Sequence, residues 1–298
     1  MILLTKDKNG FWFRRVYFTY DYDISEKFST RLRVEYNSPD FTKSSGKLTP
    51  YAKDAYLKWK FEKFSLLLGI SPTPTWELIE DFWGYRSVEK TPLDLQKFGS
   101  PRDFGISLIG KFGSEGKLGY HFMFGNGEGI SSENNKFKKI MGEIHFDLPY
   151  FFIQIYGDWA DGKGHTDIYT YQGFLGLKTD KFKIGAQYAA QIREKDPDKQ
   201  DTYEVASGFI TYNLSEKLTL LLRYDKMFDP SPSGISYIPF ASAKSNLLIA
   251  GIEFRPNESV SFIPNIEYVF YDETDTKKPG SSLGSLFGFV LFKGLFIL

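Results

Sequence analysis

Apolar and polar residues alternate in short runs along almost the whole 298-residue chain, and the connections between runs alternate between short and long. In TRLRVEY at 30–36, Leu32, Val34 and Tyr36 fall on one face while Arg31, Arg33 and Glu35 fall on the other, because successive side chains of a strand point to opposite sides. The division recurs at 54–61, where Ala55, Leu57, Trp59 and Phe61 oppose Asp54, Tyr56, Lys58 and Lys60, and again at 182–193 and 218–225. Roughly fifteen such segments follow one another, each about the length a tilted strand needs to cross a bilayer. The pattern predicts an all-β fold, an antiparallel transmembrane β-barrel of about 15–16 strands, as one domain over 1–298. Leu32, Val34, Leu57, Trp59, Phe104, Ile106, Leu218 and Leu220 are then the lipid-facing set.

Short turns are expected near 25–27, 62–63, 113–116, 147–150, 179–180, 214–216 and 256–259. Longer loops are expected near 38–50, 126–136, 160–167, 194–202, 229–244 and 273–282. In outer-membrane barrels the short turns are periplasmic and the long loops external. A chain whose first turn is short and whose last connection is long has an odd number of strands, whereas bacterial barrels have even numbers. The expectation is that an N-terminal strand and a signal peptide are missing, since MILLTKDKNG has neither a basic start nor a long apolar core.

Residues 71–102 are longer than an ordinary hairpin connection, and long ordered loops are usually functional. Pro72 and Pro74 stop the preceding strand, Thr75 is placed to cap a helix, and Glu77 suits its first turn. Trp76, Ile79, Phe82 and Trp83 recur at helical spacing. The loop is expected to carry a short helix and to fold into the lumen as a constriction, because these aromatics would otherwise face water. The alternative is a surface lid with no part in conduction.

Composition narrows the functional classes. Aromatics make up 18% of the chain, with 29 Phe and 19 Tyr, yet mean hydropathy is −0.31, as suits a wall with one face in lipid and one in water. No apolar run is long enough for a transmembrane helix. Lys+Arg and Asp+Glu are equal at 37, so there is no basic footprint for nucleic acid. Without cysteine there are no disulfides, thiolate metal sites or cysteine nucleophiles. His121, His145 and His165 lack metal-ligand spacing. GNGEG at 125–129 lacks the lysine and helix of a phosphate loop and reads as an external turn. DPDKQD at 196–201 and the acidic stretch at 272–275 do not meet the EF-hand pattern. No G-x-S-x-G elbow is present. Neither enzymatic activity nor a cofactor is expected.

The candidate pore-lining and solute-binding residues are the basic groups Arg15, Arg31, Arg33, Lys58, Lys60, Arg86 and Arg102, with Glu35, Asp54 and Asp103 among them. A ladder of Arg and Lys on facing strands attracts anions, and the planar fork of Arg suits carboxylate or phosphate. The competing reading pairs these cations with Glu35, Asp54 and Asp103 as networks that only stabilise the wall.

Several of these stretches resemble the phosphate-selective porin O and P family of outer-membrane channels. FRRVYFTYDYDISEKFSTRLRVEY at 13–36 is similar to the family's paired-arginine strand and its partner. KDAYLKWKF at 53–61, LLLGISPTPTWELIE at 66–80, YRSVEK at 85–90 and RDFGISLIG at 102–110 are similar to the segments that follow. Tyr85 stands where the family has Glu, and the chain ends Phe296-Ile297-Leu298 rather than on an aromatic. The resemblance implies a sixteen-stranded channel. The expected function is passive diffusion of small hydrophilic solutes, with some preference for anions or phosphate, through a Gram-negative outer membrane. Expected partners are membrane lipid and lipopolysaccharide, the solutes themselves, and further copies of the chain in a homotrimer. The alternative is a non-conducting barrel that serves as an adhesin, scaffold or enzyme.

Overall fold

A computed structural model describes residues 2–4, 9–11, 15–37, 49–113, 116–164, 166–232, 244–272 and 284–290, with side chains left out for 2–4, 9–11 and 284–290. The N-terminal strands are β1 (Ile2–Leu4) and β2 (Asn9–Phe11). Then come β3 (Val16–Asp23), β4 (Phe28–Asn37), β5 (Thr49–Lys60) and β6 (Phe64–Pro72), followed by the helices α1 (Trp76–Trp83) and α2 (Pro92–Leu95). The chain continues through β7 (Arg102–Phe112), β8 (Leu118–Gly125), β9 (Lys139–Asp147), β10 (Phe151–Ala160) and β11 (Ile168–Lys178). It ends with β12 (Phe182–Asp196), β13 (Lys199–Ser215), β14 (Leu218–Met227), β15 (Ser245–Asn257), β16 (Val260–Tyr271) and β17 (Gly284–Val290).

Fourteen of these strands, β3 to β16, pair antiparallel, each with its neighbour in sequence, within one sheet. β17 pairs with β16 on one side and with β1 on the other, and β1 pairs in turn with β2. Only residues 12–15 separate β2 from β3, so the two ends of the sheet meet and it closes into a barrel. Closure reduces the open edge whose backbone donors and acceptors would lie unsatisfied in hydrocarbon. β1, three residues long, lies between β17 and β2. Its Leu4 end pairs with the start of β2, which is the end of the barrel away from the turn at 24–27.

The two faces are sorted in the opposite sense to a soluble protein. Phe104, Ile106, Phe122, Phe124, Ile153, Ile155, Leu175, Leu220 and Leu222 are exposed, whereas Gln154, Thr170, Gln172, Gln187, Gln191, Ser207, Arg223 and Asp225 are buried. Large apolar side chains outside and polar ones inside are the arrangement of a barrel in lipid. Of the predicted outward set, Leu32, Trp59, Phe104, Ile106 and Leu220 are exposed, and Val34, Leu57 and Leu218 are half-buried. No helix among the described residues is long and apolar enough to cross a membrane.

One connection differs from its expectation. The long loop expected at 194–202 is instead a protruding hairpin, since β12 runs to Asp196 and β13 starts at Lys199. At about 3.3 Å per residue the 17 residues of β13 span about 55 Å, well beyond the hydrocarbon thickness. A register shift between Glu194 and Asp196 accompanies the turn, and the charged composition there is that of strand leaving the membrane for water. The loops expected near 38–50 and 273–282 lie almost wholly outside the described residues.

Candidate pore constriction

The segment between β6 and β7 folds inward. Trp76, Ile79, Phe82 and Trp83 on α1 and Leu93, Leu95 and Phe98 on and after α2 are all buried. Phe82 sits among Phe152, Phe174 and Phe209, with ring centroids 5.5, 5.2 and 6.2 Å away, and Trp76 meets Tyr156 edge-on at 5.7 Å. These partners lie on β10, β11 and β13, so the loop crosses the lumen and lies against the far wall. Polar ties reinforce the packing. Lys183 Nζ donates to the Phe82 carbonyl at 2.8 Å, Arg223 Nη1 to the Lys90 carbonyl at 2.6 Å, and Gln191 Nε2 to the Phe98 carbonyl at 2.5 Å. The Tyr85 hydroxyl donates to Glu253 at 2.8 Å.

Thr75 does not cap α1 as expected. It holds a left-handed φ of 78°, makes no side-chain cap bond, and its hydroxyl accepts from Gln172 Nε2 across the lumen. A β-branched residue in that region is strained, and the tie to the wall offsets the cost.

The loop's other side faces β3, β4 and β5, where the basic residues gather. Arg15 Nε lies 3.2 Å from Glu35, and Lys53 Nζ lies 2.6 Å from the same carboxylate and 2.9 Å from the Tyr17 hydroxyl. Arg33 Nη1 lies 3.2 Å from Asp54, which is fully buried and also receives Arg102 Nε. Arg102 Nη2 reaches across to Glu77 on α1 at 2.6 Å. Arg86, on the loop itself, joins Glu80 through Nε and Asp94 through Nη2, the latter at 2.5 Å. Burial and the Asp94 carboxylate push Glu80 up to about 8, against the opposing pull of Arg15, Lys53 and Arg102. The acidic side of the loop thus confronts the basic wall.

The predicted residues separate into three groups. Arg15, Arg33, Glu35, Asp54, Arg86 and Arg102 come together at this constriction. Arg31 makes a two-pronged pair with Asp21 and Lys60 pairs with Asp23, both toward the short-turn end, and Lys58 sits on the inner side of β5 between them. Asp103 belongs elsewhere: its carboxylate accepts backbone N–H bonds from Phe104 at 2.9 Å and Gly127 at 2.7 Å, which turns GNGEG back onto the wall.

Alternation alone misses Lys53. A register shift between Arg33 and Val34 in the β4–β5 ladder, Arg33 opposing Asp54 and Val34 opposing Ala52, leaves Lys53 without an opposite partner. This bulge aims both Lys53 and Asp54 inward. Glu77, Glu80 and Asp94 were also absent from the candidate set, because their direction depends on where the loop docks. No group of three metal-ligating side chains occurs among the described residues.

No protein-family profile and no curated relative matches the sequence. Solved structures do. OmpT, an outer membrane protein of Vibrio cholerae in its trimer form, is 12% identical with a TM-score of 0.66, over 98% of this chain and 95% of that one. The anion-selective porin from Comamonas acidovorans is 11% identical with a TM-score of 0.67, over 93% and 87%. The outer membrane channel DcaP of Acinetobacter baumannii is 13% identical with a TM-score of 0.63, over 92% and 83%. At these identities the likeness is one of fold, and the narrower resemblance to phosphate-selective porins rests on the sequence motifs alone. The chain has the β-barrel fold of outer-membrane porins, with a short helical loop.

Proposed function

We propose that the protein is a passive diffusion channel of a Gram-negative outer membrane, passing small hydrophilic solutes with a modest preference for anions, phosphate among them. The observation that carries this reading is the loop. Its apolar side lies on one wall, while Glu77 on its other side pairs with Arg102 and Glu80 lies within electrostatic reach of Arg15, Lys53 and Arg102, so a passage on that side would be charged rather than dry. Charged side chains at a narrow point replace part of a solute's hydration and set selectivity. Arg15, Arg33, Lys53, Arg86 and Arg102 are balanced in number by Glu35, Asp54, Glu77, Glu80 and Asp94. Burial and the Asp94 carboxylate raise Glu80 and weaken its negative charge, which tilts the constriction toward its cations and supports a preference for anions. Lys58, with Arg31 and Lys60 paired to Asp21 and Asp23 on either side of it, lies toward the short-turn mouth, which is the periplasmic one in this reading.

No cofactor enters the mechanism and no bond is made or broken. The exposed aromatic and aliphatic residues face membrane lipid, with lipopolysaccharide in the outer leaflet, and the chain assembles as a homotrimer. Swelling of liposomes that carry the folded protein tests the proposal. Neutral sugars should enter at rates that fall with size, and small organic anions should enter faster than cations of similar size. Liposomes that contain folded protein yet admit none of these solutes would favour the non-conducting barrel.

A further inference from the structure

We infer that a facing pair of wall glycines, Gly176 and Gly185, is the socket that sets how far the loop stands off the wall, and through it the bore of the passage. The inference rests on the channel reading above. Glycine in a strand interior weakens the strand and marks a place where another group approaches closely. These two are direct partners in the β11–β12 ladder. A Cβ on Gly176 would lie 2.3 Å from Phe82 Cζ and 2.7 Å from Cε2. A Cβ on Gly185 would lie 2.3 Å from Phe209 Cε1 and 2.9 Å from Phe174 Cζ, two of the rings that enclose Phe82.

The socket fixes more than one ring. Lys183, two residues before Gly185, holds the Phe82 carbonyl and lies over its ring at 5.8 Å from the centroid. Gly84, left-handed at φ 78°, ends α1 there, and a Cβ on it would come 3.3 Å from Lys183 Nζ. The end of α1 is therefore clamped, and Glu80 lies two residues before Phe82 on the same short helix. A group that lifts Phe82 off this wall displaces Glu80 on the same helix, which lies within electrostatic reach of Arg15 and Lys53 on the other side, and so should narrow the passage. Gly173, on the same strand, has nothing within 4 Å of its Cβ position and serves as the control.

The experiment compares G176A, F82A, the double variant and G173A in planar bilayers, with folding checked by heat-modifiable migration. G176A should lower the main single-channel conductance and speed tryptic cleavage at Arg86 and Lys90. In the F82A background the same alanine should do neither, since the ring it strikes is gone, and G173A should match the parent. F82W, which alters no strand, should lower conductance as G176A does, and it carries the test if G176A does not fold. Parental conductance and parental cleavage in both G176A and F82W would overturn the inference, as would a G176A effect of equal size in the F82A background. Cleavage does not depend on conduction. A silent parent that still shows the cleavage pattern sinks the channel reading and leaves the socket standing.

Discussion

Replacing Lys53 with Gln tests whether the bulge in β5 presents its charge to permeating ions. The ammonium lies 2.6 Å from Glu35, which also holds Arg15 at 3.2 Å and accepts from the Tyr51 hydroxyl, so removal leaves that carboxylate with one cation and one hydroxyl. A unit charge acts on an ion about 4 Å away in water with about 1 kcal/mol. With a Debye length of about 10 Å at 0.1 M salt, about 0.7 kcal/mol of that survives. At about 1.4 kcal/mol per decade, the permeability ratio should move about threefold toward cations. At about 1 M salt the Debye length of about 3 Å reduces the effect to less than about twofold. Stability should fall by about 1–3 kcal/mol, less than for a pair broken outright, because Arg15 remains. The assay is the reversal potential under a KCl gradient at both ionic strengths, on protein whose folding has been checked. A reversal potential unchanged at the lower salt would mean that Glu35 screens Lys53 from the passage and that the pair only braces the wall.

Other perturbations probe separate parts of the account. Glu80, pushed up to about 8, is mostly neutral below that value and ionises above it. Raising the pH from 7 to 9 should therefore add a negative charge at the constriction and shift selectivity toward cations, and E80Q should flatten that dependence in pH-stepped reversal potentials. Trp83→Ala should destabilise the folded barrel by about 3–5 kcal/mol, read from urea unfolding, because the ring is almost wholly buried against Phe209 at 4.7 Å. Ile155→Arg should cost about 2–4 kcal/mol in lipid. An unchanged unfolding midpoint would take the strongly exposed Ile155 off the lipid face.

Much of the fold was legible because the side-chain period of a strand is two and the bilayer imposes one apolar face. Leu32 and Leu220 outside and Arg33 and Arg223 inside follow from that period alone. The inward loop was legible for a different reason: Trp76, Ile79, Phe82 and Trp83 are too large and too regularly spaced to be left in water. What escaped depends on contacts distant in sequence or on broken periodicity. The bulge at Lys53 interrupts the alternation with no signal in the residues KDA. Thr75 looked like a helix cap, but Gln172 draws its hydroxyl to the opposite wall. The protruding β12–β13 hairpin has the charged composition of a loop and keeps its pairing beyond the membrane. The socket of Phe82 is made by glycines about a hundred positions away, which no local pattern connects to the loop.

Single-channel recording of the purified, folded protein in planar bilayers tests the central claim most directly. A diffusion channel narrowed by a fixed loop should insert in uniform ohmic steps whose conductance rises with bulk KCl and whose reversal potential under a salt gradient is slightly anion-selective at pH 7. Bilayers that remain silent after verified insertion of folded barrels would contradict the account. A reversal potential on the cation side at pH 7 would contradict its assignment of the charge balance at the constriction.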